Sequence, residues 1–273
     1  MLRHGGFMIG GGVLVLLVLV AVFAPLLAPH DPFAQSLALR IKPPFWHEAS
    51  VAGHPLGTDQ LGRDYLSRLI YGTRISLAVG FGAVLISGII GITLGVVAGY
   101  FGGWVDTCIG ALITTRLSLP VVLVALAVVA VVGGSLTVVL LVIGLLLWDQ
   151  FAVVARTATQ QLRHAEFVAS ARAMGASRMH VMCREILPNI RAPLTVVATV
   201  EMANAVLIEA ALSFLGLGVQ APLPSWGLML SEGKNFMFFN PWVITLPGLC
   251  LFVLALSINL LGDGLRDVQE GGR

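Results

Sequence analysis

Hydrophobic positions in this chain neither alternate nor stripe a single helical face; they fill whole stretches. Six mostly apolar runs stand out, Phe7–Ala28, Ile75–Gly99, Ile109–Val132, Leu136–Ala155, Pro193–Phe214 and Trp242–Leu265. Each supplies about the 20 residues a helix needs to cross a bilayer core. A helix satisfies its own backbone hydrogen bonds, which lipid cannot do for it. The pattern therefore predicts an all-α polytopic membrane protein with six transmembrane helices. Arg3 precedes the first run as it would in a secretory signal, but the run exceeds the ~7–15 apolar residues of a signal core and reads as an uncleaved anchor.

Composition strengthens this reading. With 57% hydrophobic residues, 11% charged residues and a mean hydropathy of +0.93, the chain lacks the polar surface of a soluble globule of 273 residues. A net charge of +2 gives no basic field for nucleic acid. Cys108, Cys183 and Cys250 show no metal-ligand spacing, so no metal site is expected. The runs divide the chain into residues 1–28 (first span), an extracytoplasmic loop over 29–74, a core over 75–268 and a tail over 269–273.

Charge placement then orients the chain. With a cytoplasmic N-terminus, the inner side holds ten cations, Arg3, Arg116, Arg156, Arg163, Arg172, Arg178, Arg184, Arg191, Arg266 and Arg273. The outer side holds six, Arg40, Lys42, Arg63, Arg68, Arg74 and Lys234, mostly in one long loop. The positive-inside rule places both termini in the cytoplasm.

One polar island interrupts the core, "AEFVASARAMGASRMHVMCREILPN" over 165–189. Phe167, Ala171 and Met174 share a helical face, and Gly175 suits the left-handed residue that ends a helix. Ser177 is a good N-cap for a second short helix, with Pro188 expected to stop it near Ile186. Two short helices meeting at a glycine elbow are predicted in the cytoplasmic loop 156–192. Taken alone, the same segment also fits an amphipathic stretch lying on anionic headgroups.

This island resembles the cytoplasmic EAA loop of ABC importer permeases: Ala169, Ser170 and Ala171 fall at the EAA positions, Gly175, Leu187 and Pro188 match, and Ala169 and Glu185 stand where the pattern has Glu and Ile. "HPLGTDQLGRDYLSRLIYGTRISLAVG" from His54, "LSFLGLGVQAPLPSWGLML" from Leu212 and "LLGDGLRDV" from Leu260 are similar to the C-type subunits of the dipeptide, oligopeptide and nickel branch. The resemblance implies a type I ABC importer permease fold in the plasma (inner) membrane. It implies a second, B-type permease subunit, two ATPase domains, separate or fused, and an extracytoplasmic substrate-binding protein. It also implies that the island is a coupling segment, with Ala171, Arg172, Gly175, Ala176, Ser177 and Arg178 at the ATPase contact. Peptides are the implied substrate and nickel the alternative.

The chain carries no machinery for hydrolysing ATP. A P-loop needs G-x-x-x-x-G-K-S/T, whereas Lys234 follows Gly233 with Leu228 at the first glycine position and Asn235 after it. ATP and Mg are thus expected on partner subunits, with no cofactor in this chain and no catalytic residues. A secondary transporter would show internal repeats, and none is apparent.

Ionisable groups inside the runs are functional candidates by default. Asp149 is read as a tether to Arg156, near the cytoplasmic end of its span. Glu201 and Asn204 either line the translocation path or join helices; Glu201 and Glu209 lie about 80° apart around a helix, close enough to face a common cavity. Glu209 is read chiefly as a cap for backbone groups near the outer helix end. In the outer segment Gly57–Thr73, Asp59 is expected to cap an amphipathic helix carrying an Asp64–Arg68 pair. Asp59, Arg63, Asp64 and Trp226, the last at the membrane interface, are assigned to an outer gate that serves as docking surface or brace.

Overall fold

The structure, a computed structural model, describes residues 5–270. Arg3, His4 and Arg273, together with the last three residues of the 269–273 tail, lie outside the described residues. The elements are α1 (Gly5–Val22), α2 (Tyr65–Phe101), α3 (Gly103–Leu117), α4 (Val121–Val132), α5 (Leu136–Leu162, kinked at Leu147), α6 (Glu166–Ala173), α7 (Arg178–Phe214), α8 (Trp226–Gly233) and α9 (Trp242–Glu270). Five of these, α1, α2, α5, α7 and α9, are long and apolar enough to cross a membrane. The pair α3 and α4 meets at 82° and, counted as one broken span, makes the sixth. The break follows from sequence, because Pro120 disfavours a helical conformation at Leu119 and lacks the N–H a continuing helix needs.

The central pairing is α2 against α5. Gly91, Gly95 and Gly99 repeat every four residues along α2 and so share one face. A Cβ on Gly95 would stand 2.5 Å from the Ala152 carbonyl oxygen, and one on Gly99 2.6 Å from that of Arg156. Backbone thus lies against backbone, the contact small residues permit between membrane helices. Gly95→Leu is expected to lower the unfolding midpoint sharply, at a cost of about 3 kcal/mol or more, whereas Gly12→Leu, with nothing within 4 Å of its Cβ position, should leave it unchanged. Detergent-phase thermal unfolding of the two variants checks this.

The loop over residues 28–64 is stitched rather than loose. Thr58 N–H donates to the Lys42 carbonyl at 3.0 Å, Ile41 N–H to that of Asp59 at 2.9 Å and Ser36 N–H to that of Leu61 at 3.1 Å. The amphipathic helix expected from Asp59 is replaced by a turn. The Asp59 carboxylate accepts from the backbone N–H groups of Leu61 and Arg63, and Gly62 has a left-handed φ of +72°, so the segment folds back instead of winding forward. The cap is Asp64, which accepts from Ser67 N–H at 2.8 Å, and the helix it opens continues straight into the second span. The boundary expected at residue 74 therefore falls inside α2. Its 37 residues measure about 55 Å, far beyond the ~30 Å hydrocarbon core, so α2 projects from the membrane.

The stop expected at Pro188 does not occur. Val181–Ile186 form a π turn, in which Leu187 N–H reaches back to the Met182 carbonyl, and the chain continues through Pro188 and Pro193 to Phe214. A π turn changes the hydrogen-bond register where proline cannot donate, and the neighbouring helices hold the bent segment in place.

Candidate functional site

At the elbow, α6 ends in a Schellman arrangement. Ala176 N–H bonds the Ala171 carbonyl and Gly175 N–H that of Arg172, both at 3.0 Å, with Gly175 at φ +87°. Ser177 then caps α7, its hydroxyl accepting from His180 N–H at 3.2 Å. The glycine elbow and serine cap match the sequence expectation. The inner faces of both helices are packed, since Val168, Ala171, Val181, Met182 and Ile186 join Val96, Phe151 and Ile190 in one apolar cluster.

The six coupling candidates separate by placement. Arg172, Gly175, Ser177 and Arg178 are exposed, Ala176 is half-buried, and Ala171 is buried in the cluster. The Arg172 guanidinium lies over the Tyr100 ring at 4.9 Å and that of Arg178 over Phe101 at 5.8 Å, so both arginines hold the elbow to the end of α2. Sequence reasoning did not assign Met174 (83% exposed) and Met179 (66%), which present apolar, adaptable side chains on either side of the glycine.

A second polar group sits where two spans break. The Arg116 guanidinium donates to the Leu146 carbonyl at the α5 kink and to the Leu119 carbonyl at the α3–α4 elbow, and approaches Asp149 at 3.8 Å. One side chain therefore serves both breaks. This corrects two expectations: Arg116 is buried within the broken span rather than free on the cytoplasmic side, and Asp149 meets Arg116 rather than Arg156. Arg156 instead pairs with Asp106 of α3, where its reach across the α3–α5 gap is shorter than along its own helix.

Glu201 is buried within electrostatic reach of Asp149 and Arg116, and the Asn204 amide donates to it at 3.3 Å. Asn204 lies on the wall of an open groove of about 480 Å³ with Pro120, Val121, Leu147, Leu207 and Ala211. Glu201 and Glu209 do not share that groove. Glu209 is fully buried and accepts from the Ser213 hydroxyl at 2.7 Å, which in turn accepts from Val219 N–H. It thus braces the turn after α7 through Ser213, which takes the backbone N–H that the sequence reading gave to Glu209.

The outer group is internal. Asp59, Arg63, Arg68 and Glu232 form a buried ion cluster in which Arg63 donates to Asp59 at 2.6 Å and to Glu232 at 3.0 Å, while Arg68 reaches both acids. Asp64 faces His54 rather than Arg68, because Asp59 has captured the arginine. Trp226 is buried rather than interfacial, and its indole N–H donates to the Leu69 carbonyl at 3.0 Å. Burial of Asp59, Arg63, Asp64 and Trp226 makes them a brace between the outer loop, α2 and α8, and removes them from any docking surface.

Residues 91–271 match the family described as binding-protein-dependent transport system inner membrane component. The chain belongs to this family. Residues 1–44 match the N-terminal transmembrane domain of oligopeptide transport permease C. Over 268 residues the chain is 41% identical to a dipeptide transport system permease protein of Haemophilus influenzae, covering 98% of this chain and 91% of that protein. A di/tripeptide transport system permease protein of Pseudomonas aeruginosa is 42% identical, over 95% of this chain and 86% of its own length. Among solved structures, an inward-facing form of the MetNI methionine ABC transporter shares the fold, with a TM-score of 0.59 at 20% identity over 74% of this chain and 97% of that one.

Family membership makes the chain a non-catalytic membrane subunit of an ABC importer in the inner membrane, working with a partner permease and with ATPase subunits. The secondary-transporter alternative is thereby set aside.

Proposed function

We propose that this permease forms half of a peptide pathway, that the 156–192 loop receives the ATPase stroke, and that an extracytoplasmic binding protein delivers the peptide. One observation carries the coupling assignment: the exposed elbow at Gly175 opens directly into α7, a continuous helical path from Arg178 to Phe214 that passes Glu201 and Asn204. A push at the elbow moves a rigid element lining the groove, and packed elements of this kind transmit displacement rather than absorb it. Met174 and Met179 offer the apolar contact for an ATPase groove, flanked by Arg172 and Arg178 for its acidic rim. The peptide assignment rests on the names of the dipeptide and di/tripeptide relatives.

Both termini lie in the cytoplasm in this reading. With Arg116 removed from the inner count, nine cations remain against six, which keeps the bias in the same direction.

Copurification tests the assembly. The tagged chain, drawn from its own membrane in mild detergent, should bring a second permease and nucleotide-binding subunits, and di- or tripeptides with their binding protein should stimulate ATP hydrolysis. Elution of the chain alone and inert overturns the reading.

Within the pathway, Asn204 meets the peptide and Glu201 orients it from behind. Asn204→Ala should raise the half-saturating peptide concentration about fivefold, the worth of one hydrogen bond of ~1 kcal/mol, with assembly unchanged. Uptake kinetics that do not move would return Asn204 to helix packing.

A further inference from the structure

Among the described residues, one cluster is explained neither by the elbow nor by the helix breaks. His30, His54 and Asp64 come from the start of the loop over residues 28–64, its later part and the cap of α2. Their nearest ligand-capable atoms all lie within 4.8 Å of one another. The His54 Nδ1 stands 2.8 Å from Asp64 Oδ1, and His30 Nδ1 approaches the same oxygen at 3.8 Å. The two imidazole rings stack with centroids 4.6 Å apart. Sequence spacing conceals this set, because no two of the three are close enough along the chain to form a ligand motif; the expectation of no metal site came from the spacing of the three cysteines.

We propose that His30, His54 and Asp64 form a three-ligand site for a divalent transition-metal ion of the zinc class, on the loop between the first two spans. Two imidazoles and one carboxylate are borderline donors that suit zinc and its neighbours rather than calcium or magnesium, which take oxygen ligands. Protein hydrogen bonding uses the trio incompletely. A neutral His54 can donate to Asp64 Oδ1, while His30 Nδ1, at 3.8 Å, is too far from that oxygen to do so. A cation at ~2.0–2.2 Å from each ligand needs the His54–Asp64 pair to open slightly from 2.8 Å and the His30–Asp64 pair to close slightly from 3.8 Å, while the two stacked imidazoles turn so that a nitrogen of each faces the ion.

The surroundings hold the ligands in place. Asp64 Oδ2 is fixed by Ser67 N–H at 2.8 Å, and the Ser67 hydroxyl accepts from the His30 backbone N–H at 3.1 Å, so one serine orients the carboxylate and places the main chain at His30. A bond to a ligating carboxylate of this kind orients a metal ligand. The Asp64 side chain is 1% exposed and that of His30 42%, which leaves one side of the site open for a water ligand and for ion entry. An ion here would clip the start and middle of the outer loop to the first turn of α2.

The test does not depend on the substrate. The complex, purified through a tag free of histidine and stripped with chelator, is titrated with zinc(II) by calorimetry, alongside H30Q and H54Q chains. The expected result is one zinc per chain in the wild type, with affinity reduced about tenfold or more in each variant and an unfolding midpoint that zinc raises only in the wild type. H30Q, altered at the more exposed ligand, serves if H54Q fails to assemble. Absence of stoichiometric zinc binding in the wild type, or equal affinity in wild type and H30Q, overturns the site.

Discussion

Gly175→Pro is expected to leave the protein inserted and assembled while reducing ATP-driven uptake by at least about tenfold, the rate equivalent of ~1.4 kcal/mol. Gly175 sits at φ +87°, and proline is fixed near −65°, so the substitution cannot be accommodated at the elbow. It also deletes the N–H that bonds the Arg172 carbonyl and misdirects the Ala176 N–H that bonds Ala171. Both helices remain anchored through Val168, Val181 and Ile186, so the damage stays at the joint between them. Gly175→Ala separates strain from bulk. No atom lies within 4 Å of its Cβ position, and the left-handed backbone costs an L residue only about 1–2 kcal/mol. Alanine should therefore retain much of the activity that proline removes. Uptake and peptide-stimulated ATP hydrolysis, measured side by side, decide the matter: normal coupling in Gly175→Pro removes the elbow from the power stroke.

How much of this was legible in the residues depends on whether the signal was local. Hydropathy placed the spans because a bilayer imposes its length on each run independently, and α1, α5 and α9 lie where the runs do. The elbow was legible for the same reason, since a Schellman glycine followed by a capping serine is decided within a dozen residues. Pro188 was misread because the π turn over Val181–Ile186, held by packing against α2 and α5, changes what a proline interrupts. Asp59 was misread because its carboxylate had two uses, a helix cap or a turn closing on Arg63 and Arg68, and the choice depends on Glu232, far along the chain. Arg116 and the His30–His54–Asp64 trio could not be read at all, because their partners converge only once the helices have packed.

Arg116→Leu is the second substitution with a large expected effect, and it acts through what it leaves behind. It strands the Asp149 side chain, which is 6% exposed, beside a second acid, Glu201, and it frees the carbonyl groups of Leu119 and Leu146 at the two helix breaks. Removing one partner of a buried pair typically costs about 3–5 kcal/mol, enough to deplete assembled permease in the membrane. Replacing both members by apolar residues is often close to neutral for an isolated pair. Arg116→Leu with Asp149→Leu should therefore recover part of the loss, and only part, because the two carbonyls stay unsatisfied at about 1–3 kcal/mol each. Full recovery in the double variant would reduce Arg116 to a counter-ion. Partial recovery, read as detergent-resistant complex and unfolding midpoint, makes it the fastener of both breaks. The consequence for transport then follows from position: the start of α4 and Leu147 at the α5 kink flank the groove that Asn204 faces, and a guanidinium bonded to both breaks requires the two bent spans to move together when α7 is driven from the elbow.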